Sequence, residues 1–483
     1  MSLIRTSDNE KERYKARPSV LDALRSPRLL TREVLAGLVV ALALIPEAIS
    51  FSIIAGVDPR VGLFSSFVMA VSIAFLSGRP AMITAATGAI ALVIAPVARE
   101  YGMDYFIATV VLGGVFQIIL AVLGVAKLMR FIPRSVMVGF VNSLAILIFT
   151  AQLPHLIGVP WLVYPLVAGG LVIMLVMPRI TKVIPAPLVS IVLITAVVVT
   201  AAMFVPRVGD EGDLPESLPE LFIPQIPLTW ETLRIIAPYA AAMAVVGLLE
   251  SLLTAKLVDE VTDTRSRKTR EAWAQGVANV LSGFFGGMGG CAMIGQTMIN
   301  VKASGARTRI STFFAGLFLL ILVVGLGDLV AIIPMAALVA VMIMVSVATF
   351  DWHSIRLTTL RQMPKSETAV MAITVLIVVL THNLAIGVIA GVLVAMVLFA
   401  RRVAHFMTVT RTLPEDEQVP TAHYAVDGEL FFASSNDLTT QFEYADDPAR
   451  VVIDMSASHI WDASTVAALD AIVTKYEHHG KRV

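Results

Sequence analysis

From residue 31 to residue 402 the chain is a succession of apolar runs separated by short stretches of Gly, Pro and charged residues. A helix that crosses a bilayer needs roughly 20 consecutive apolar residues, and on that measure the stretch divides into about fourteen segments. They fall at 34–55, 62–76, 87–97, 105–125, 135–151, 162–177, 188–204, 237–257, 272–285, 292–301, 308–326, 333–348, 368–380 and 385–400. Segments 87–97 and 292–301 are too short to cross about 30 Å alone at about 1.5 Å per residue. They are expected to be half-helices preceded by extended chain. After residue 402 the pattern changes to polar loops and short alternating segments: 423–426, 429–432 and 450–454 read as strands, 436–444 and 463–476 as helices. The expected fold is an all-α polytopic membrane protein followed by a small cytoplasmic α/β domain over 407–483.

Lys and Arg accumulate in cytoplasmic loops, which gives the orientation. With the N-terminus inside, the inside loops hold Arg79, then Lys127, Arg130 and Arg134, then Arg179 and Lys182. In the second half they hold Arg265, Arg267, Lys268 and Arg270, then Lys302, Arg307 and Arg309, then Arg356, Arg361 and Lys365. The outside loops hold only Arg60, Arg99 and Arg207. Dropping one span would scramble this alternation, and an even number brings both ends to the cytoplasm. One long outside loop is acidic and Pro-rich, with Asp210, Glu211, Asp213, Pro215 and Glu216. It separates a first repeat at 31–205 from a second at 231–402, with the extracellular loop at 206–230 and a cytoplasmic N-terminal segment at 1–30. Each repeat has an odd number of spans, so the two must be inverted relative to each other.

Each half also places one glutamate in an apolar helix and, about 40 residues later, a run of small residues where a helix should be. The first pairs Glu47 with Thr84-Ala85-Ala86-Thr87-Gly88, the second Glu250 with Gly286-Gly287-Met288-Gly289-Gly290-Cys291. An ionisable group at membrane depth is expensive and functional by default, and interrupted hydrophobic segments at corresponding positions mark a transporter's binding site. Inverted repeats bring two such half-helices head to head near the midplane. Each N-terminus carries roughly +0.5 charge and unpaired N–H groups, so the pair should favour an anion. The expected substrate-binding residues are Thr84, Ala85, Ala86, Thr87, Gly88, Gly290, Cys291, Ala292 and Gln296, with Glu47 and Glu250 as proton-coupling groups. Small residues at Ala85, Ala86, Gly88, Gly289, Gly290 and Ala292 let backbone approach the ligand, and Thr84, Thr87 and Gln296 can supply hydrogen bonds.

Composition narrows the class: 57% of residues are hydrophobic and 15% charged, with mean hydropathy +0.82. That is too apolar for a soluble chain of 483 residues, so the lipid bilayer is the first expected partner. The net charge of +0 says nothing of nucleic acid, because the charges sit in loops and ends, and no basic patch with interleaved aromatics occurs. The first thirty residues carry no apolar run, so no cleaved secretory signal is expected and the first span must target the chain. One cysteine, Cys291, rules out an intrachain disulfide and any cysteine-rich metal cluster; no cofactor or metal is expected.

Leu44-Ile45-Pro46-Glu47-Ala48-Ile49-Ser50-Phe51 and Asp58-Pro59-Arg60-Val61-Gly62-Leu63-Phe64 resemble the first two span signatures of the SulP anion transporters, the sulfate permease family that includes pendrin and prestin. Gly247-Leu248-Leu249-Glu250-Ser251-Leu252, and the run from Gly286 through Asn300 to Thr308, resemble its eighth and tenth spans. The resemblance implies a fourteen-span inverted-repeat fold shared with uracil permeases, a core domain carrying the site, a gate domain, and usually a homodimer. It points particularly to bacterial members thought to carry dicarboxylates with protons. Gly428-Glu429-Leu430-Phe431-Phe432-Ala433, Val451-Val452-Ile453-Asp454-Met455-Ser456 and His459-Ile460-Trp461-Asp462-Ala463-Ser464 resemble the C-terminal STAS domain of the same family. Related anti-sigma antagonists are phosphorylated near the position of Ser464, which here is equally a helix N-terminal residue beside Asp462. The chain ends where that family would begin another strand and helix, so the STAS domain is expected to be incomplete.

Two departures bear on mechanism. Many relatives have Gly-Pro where this chain has Ala85-Ala86, and many have a basic residue where it has Gln296. Without that counter-charge, helix-end dipoles cannot balance a divalent anion beside two ionised glutamates, and protonation of Glu47 or Glu250 would relieve the excess. The expected activity is secondary active, proton-coupled symport in the cytoplasmic membrane of a small anion, either a dicarboxylate such as fumarate or the sulfate ion. Uncoupled or exchange transport of sulfate, bicarbonate or chloride is the alternative, and a sensor signalling through the STAS domain a third. An enzyme is not expected, because no H-E-x-x-H, nucleophile elbow or nucleotide fingerprint occurs.

Plainer roles stand beside these. Glu47 could satisfy backbone groups freed by Pro46, Glu250 could organise the core through a hydrogen bond to an opposing half-helix, and the Gly run could be small-residue helix packing. Cys291 reads as a space-filler, Phe51 and Phe64 as packing, and Arg265, Arg267, Lys268 and Arg270 as positive-inside anchors.

Overall fold

The computed structural model describes residues 19–127, 132–180, 186–212, 214, 217–404, 407–414 and 419–483. Arg130, Lys182, Asp213, Pro215, Glu216 and most of the 1–30 segment lie outside the described residues. Each of the fourteen apolar segments coincides with a helix. A short helix α1 (Val20–Arg25) leads to α2 (Pro27–Ala55) and α3 (Pro59–Leu76), each begun by a proline whose missing N–H is no loss in the first turn. Strand β1 (Thr84–Ala86) precedes α4 (Gly88–Tyr101), followed by α5 (Met103–Val122), α6 (Arg134–Thr150), α7 (Val163–Ile180) and α8 (Ala186–Thr200). The second half repeats this order: α9 (Trp230–Thr262), α10 (Lys268–Phe284), β2 (Gly290–Ala292), α11 (Ile294–Met298), continued by a π-turn at Ile299–Ala303, and α12 (Arg309–Gly325). A short α13 (Gly327–Ala331), α14 (Met335–Thr349), a short α15 (Leu357–Gln362), α16 (Lys365–Thr381) and α17 (Leu384–Ala404) complete the helices. Among the described residues, seven helices are long and apolar enough to cross a membrane by length and composition alone.

The packing is symmetric under exchange of the halves. Helix α5 packs on α10 as α12 does on α3; α2 packs on α12 as α9 does on α5; α6 packs on α16 as α14 does on α7. The contacts also sort the helices into two groups, α2–α5 with α9–α12 and α6–α8 with α14 and α16. Close approach needs small residues where side chains would hold backbones apart. Gly114 of α5 and Gly276 of α10 are such a pair, because a Cβ on either would lie 2.6 Å from the other's carbonyl oxygen.

At the centre of this symmetry, β1 and β2 pair antiparallel, Thr84 with Ala292, Ala85 with Cys291 and Ala86 with Gly290. A two-stranded ribbon inside a membrane must find partners for its outer edges. Side chains supply them: Ala86 N donates to Ser66 Oγ (3.2 Å), Ile83 N to Thr297 Oγ1 (3.0 Å) and Ala292 N to Ser251 Oγ (3.0 Å). Asn279 grips Gly290 at both ends, accepting from its N–H (2.9 Å) and donating to its carbonyl (3.0 Å).

The chain divides into two compact units, Met1–Ala390 and Gly391–Val483, the division falling inside α17. The second has β3 (Thr408–Thr412) antiparallel to β4 (Thr421–Leu430), which is parallel to β5 (Arg450–Ile460), with helices α18 (Phe432–Leu438) and α19 (Ala463–His478). Three sequence expectations are corrected here. The strands expected at 423–426 and 429–432 are one strand ending at Leu430, in which Asp427 and Gly428 pair with Ala457 and Ser458 of β5 just after a register shift. The helix expected at 436–444 lies earlier, at Phe432–Leu438, because Phe431 N finds a cap at Ser434 Oγ (3.0 Å). Strand β3 was not anticipated. Asp462 caps α19 by accepting from Thr465 N (3.2 Å), leaving Ser464 exposed in the first turn. Arg482 bridges to Arg450 beside β5.

The core of this unit gathers Ala422, Tyr424, Val426, Leu430, Val451, Ile472 and Tyr476 around one buried carboxylate. Asp447 accepts from Tyr476 Oη (2.6 Å), Tyr424 Oη (2.7 Å) and Arg411 Nε (2.8 Å), and its side chain is 0% exposed. Burial pushes this carboxyl up, but the tyrosine hydroxyls and Arg411 together outweigh it and hold it below the usual carboxylate range.

Two predictions follow from the packing. The stability that Asp447 contributes is present above the unfolded carboxyl's value of about 3.9 and lost as pH falls through its lower folded value. Hydrogen exchange of 421–430 in the intact protein should therefore lose excess protection in strong acid, and Tyr476→Phe should weaken it at pH 7 by about 1–3 kcal/mol. Unchanged protection in the variant would contradict this. For the ribbon, a Cβ on Gly290 overlaps the Ala85 carbonyl, whereas one on Gly295 meets nothing within 4 Å. Gly290→Ala should lower the thermal midpoint, by roughly 1–3 kcal/mol of stability, and Gly295→Ala should not.

Candidate functional site

The helices that follow β1 and β2 both begin without a side-chain cap. Thr87 and Met293 are the N-cap residues of α4 and α11, and neither makes a cap hydrogen bond. Among the described residues their first-turn N–H groups have no intrahelical or side-chain partner. Both helix starts line one cavity of about 340 Å³, through Thr87, Gly88 and Ala89 on one side and Met293, Ile294, Gly295 and Gln296 on the other. Glu47 and Phe51 of α2 and Glu250 and Leu253 of α9 face the same space. The remaining wall comes from the other helix group: Phe140, Val141, Leu144 and Ile148 of α6, and Val345, Ala348 and Thr349 of α14. The cavity thus lies at the seam between the two groups. Among the described residues no Lys, Arg or His lines it.

Among the described residues four glutamates of the membrane unit are buried, and their partners sort them. Glu271 accepts from Ser77 Oγ (2.7 Å), Gly78 N (2.8 Å), Arg79 N (3.0 Å) and Gln275 Nε2 (2.9 Å), and Glu33 accepts from the backbone of Arg307 (2.7 Å) and Thr308 (3.2 Å). Saturated in this way, both fasten loops to helices. Glu250 takes one donor, Cys291 Sγ (2.9 Å), and the sulfur also meets Thr87 Oγ1 (3.1 Å). Glu47 has the Gln296 amide as its polar neighbour on the cavity wall. Each of these two carboxyls has a face on the cavity. Ser50 Oγ donates to the carbonyl of Pro46 (2.8 Å), one turn along the same helix.

Of the residues singled out in the sequence, Glu47, Thr87, Gly88, Glu250 and Gln296 meet at the cavity. Ala85, Ala86, Gly290 and Ala292 form the ribbon behind it, and Cys291 joins Glu250 to Thr87 from that layer. Thr84 turns away, its hydroxyl accepting from Gln275 Nε2 (2.9 Å). Sequence reasoning missed the α6 and α14 wall, whose apolar residues look like any span. It also missed Asn279, Gln275 and Ser251, although amides and hydroxyls in apolar helices are a readable signal. Among the described residues no group of three or more His, Cys, Asp or Glu is placed to hold a metal ion.

The chain matches the model of the sulfate permease family over residues 30–165 and 161–374, and that of the STAS domain over 412–483. It is 52% identical over 451 residues to the putative sulfate transporter YbaR of Bacillus subtilis, covering 93% of each chain. It is 29% identical over 416 residues to the bicarbonate transporter BicA of Picosynechococcus, covering 79% of this chain and 72% of that one. Among solved structures, the murine Slc26a9 anion transporter superposes with a TM-score of 0.79 at 17% identity, over 94% of this chain and 84% of that one, a likeness of fold. With its two half-helices meeting at one cavity and its family match spanning the membrane unit, this chain belongs to the sulfate permease family and carries a C-terminal STAS domain.

Proposed function

We propose that this protein is a secondary active transporter that carries a small anion together with a proton by alternating access. One observation carries the reading: two uncapped helix N-termini and two sparsely partnered carboxyls line one cavity that has no cationic side chain among the described residues. The helix ends offer about one positive charge between them. Two ionised glutamates already exceed that, so an anion shares the cavity only after a carboxyl takes up a proton. Release of the anion then favours release of the proton, and this mutual dependence is the coupling. Glu47 is the proton carrier, since its partner Gln296 is a neutral amide on the opposite half-helix that can donate to the ionised form or accept from the protonated one. Glu250, held by Cys291, shares in coupling and in holding Thr87 at the mouth of α4.

The substrate is a dicarboxylate such as fumarate, or sulfate, bound by backbone N–H groups at Gly88 and Ala89 and at Ile294 and Gly295. Thr87 and Gln296 add polar contacts. Movement of the ribbon-bearing helix group past the α6–α14 wall would carry the ligand between the two faces. The protein acts in the cytoplasmic membrane as a homodimer with both ends inside. The likeness to a bicarbonate transporter favours a second reading, uncoupled transport or exchange of bicarbonate, sulfate or chloride.

Two measurements separate these readings. With the membrane potential clamped, an inward gradient of one pH unit supplies about 1.4 kcal/mol per proton, enough for ~10-fold accumulation of labelled fumarate or sulfate in liposomes. Uptake indifferent to the gradient overturns symport. Glu47→Gln should abolish gradient-driven accumulation while sparing counterflow against unlabelled substrate; loss of counterflow in the wild type would remove the carrier reading altogether.

A further inference from the structure

A second cavity, of about 380 Å³, opens at the start of α2 and is lined by Arg28, Thr31, Arg32, Leu35 and Val39 of that helix and by Ser304 after the π-turn. Arg28 and Arg32 are one turn apart on one face, and both are exposed. Neither has a hydrogen bond or ion pair to a described residue. Other arginines at this end are committed: Arg79 to Asp259 (3.0 Å), Arg270 to the Leu76 carbonyl (2.9 Å) and Arg309 to the Ala74 carbonyl (3.1 Å). The nearest carboxylate in sequence, Glu33, is turned inward onto the backbone of Arg307 and Thr308 and does not neutralise them. Positive charge is in excess here. Burial first, then the neighbouring Arg32, hold the Arg307 guanidinium below its usual range, and Glu33 only partly opposes them.

The same helix face continues from the two guanidiniums into apolar side chains. Leu35 is 54% exposed, and Arg28 to Val39 spans about 16 Å along the axis. Before it, α1 exposes Leu21 and Leu24, apolar groups that water would not favour but the interface of a bilayer would. Charge at one end and hydrocarbon along the rest match an amphiphile rather than a free ion.

We propose that Arg28 and Arg32, with the hydroxyls of Thr31 and Ser304, bind the phosphate headgroup of an anionic phospholipid whose acyl chain lies along Leu35 and Val39. The lipid belongs to the leaflet that the basic loops face. Ser304 follows the π-turn that continues α11, so an occupied site links the entrance of α2 to the far end of the half-helix that carries Gln296.

The test uses the full-length protein in detergent, titrated with phosphatidylglycerol, with phosphatidylcholine or with inorganic phosphate, reading the thermal midpoint and retained lipid by native mass spectrometry. Phosphatidylglycerol should raise the midpoint and be retained preferentially, and R28Q/R32Q should reduce that preference roughly tenfold or more. R28K/R32K keeps the charge and should keep most of the preference, and the wild-type preference should weaken with added salt. Equal responses to the two lipids, an undiminished response in R28Q/R32Q, or a preference insensitive to salt overturns the site. A midpoint shift with inorganic phosphate equal to that with phosphatidylglycerol overturns the lipid as its occupant.

Discussion

Extended backbone inside a membrane is tolerated only where every N–H and C=O finds a partner. The half-helices α4 and α11 each need such a lead-in, and each lead-in is the partner of the other: three residues of β1 against three of β2. That antiparallel contact joins the halves at their centre and fixes where both helices begin. Its outer edges are closed by hydroxyls from α3 and α9 at Ser66 and Ser251 and by the two-handed amide of Asn279 from α10. Three surrounding helices are thereby held to the ribbon, and the packing of α2–α5 with α9–α12 as one group follows from it.

The same demand for satisfied polar groups separates structure from function. Glu271 and Glu33 are saturated by donors and stitch loops to helix ends, so removing either would strand several buried N–H groups. Glu47 and Glu250 lie at the seam with α6 and α14, in a cavity that no described Lys, Arg or His lines. In the proposed mechanism a carboxyl so placed takes up a proton when an anion arrives. The thiol of Cys291, buried against Glu250 and Thr87, ties one carboxyl to the N-cap of the facing half-helix.

Much of this was legible in the sequence because it is written in local chemistry. Apolar runs longer than a soluble core tolerates gave the helices, and two short segments after small-residue runs marked the half-helices. Glu47, Thr87, Gly88, Glu250 and Gln296 stood out as polar or small where apolar bulk was expected, and they share the cavity. In the C-terminal unit the long helix was legible, but the strand through Gly428 was not, since glycine reads as a break until a neighbouring strand pairs with it.

Tertiary structure decided what depends on partners distant in sequence. Whether Thr84 faces a ligand or Gln275, and whether Cys291 fills space or bridges Glu250 to Thr87, turns on contacts roughly 200 residues away, which no local pattern encodes. The apolar wall of Phe140, Leu144 and Val345 is likewise indistinguishable by composition from residues that face lipid. The sequence by itself determined the class, the repeat and the polar residues that a membrane interior must account for, because desolvation penalises them wherever they lie. Only the fold decided which of them are satisfied and which are left facing a cavity, because that depends on the geometry of donors brought from the other half of the chain.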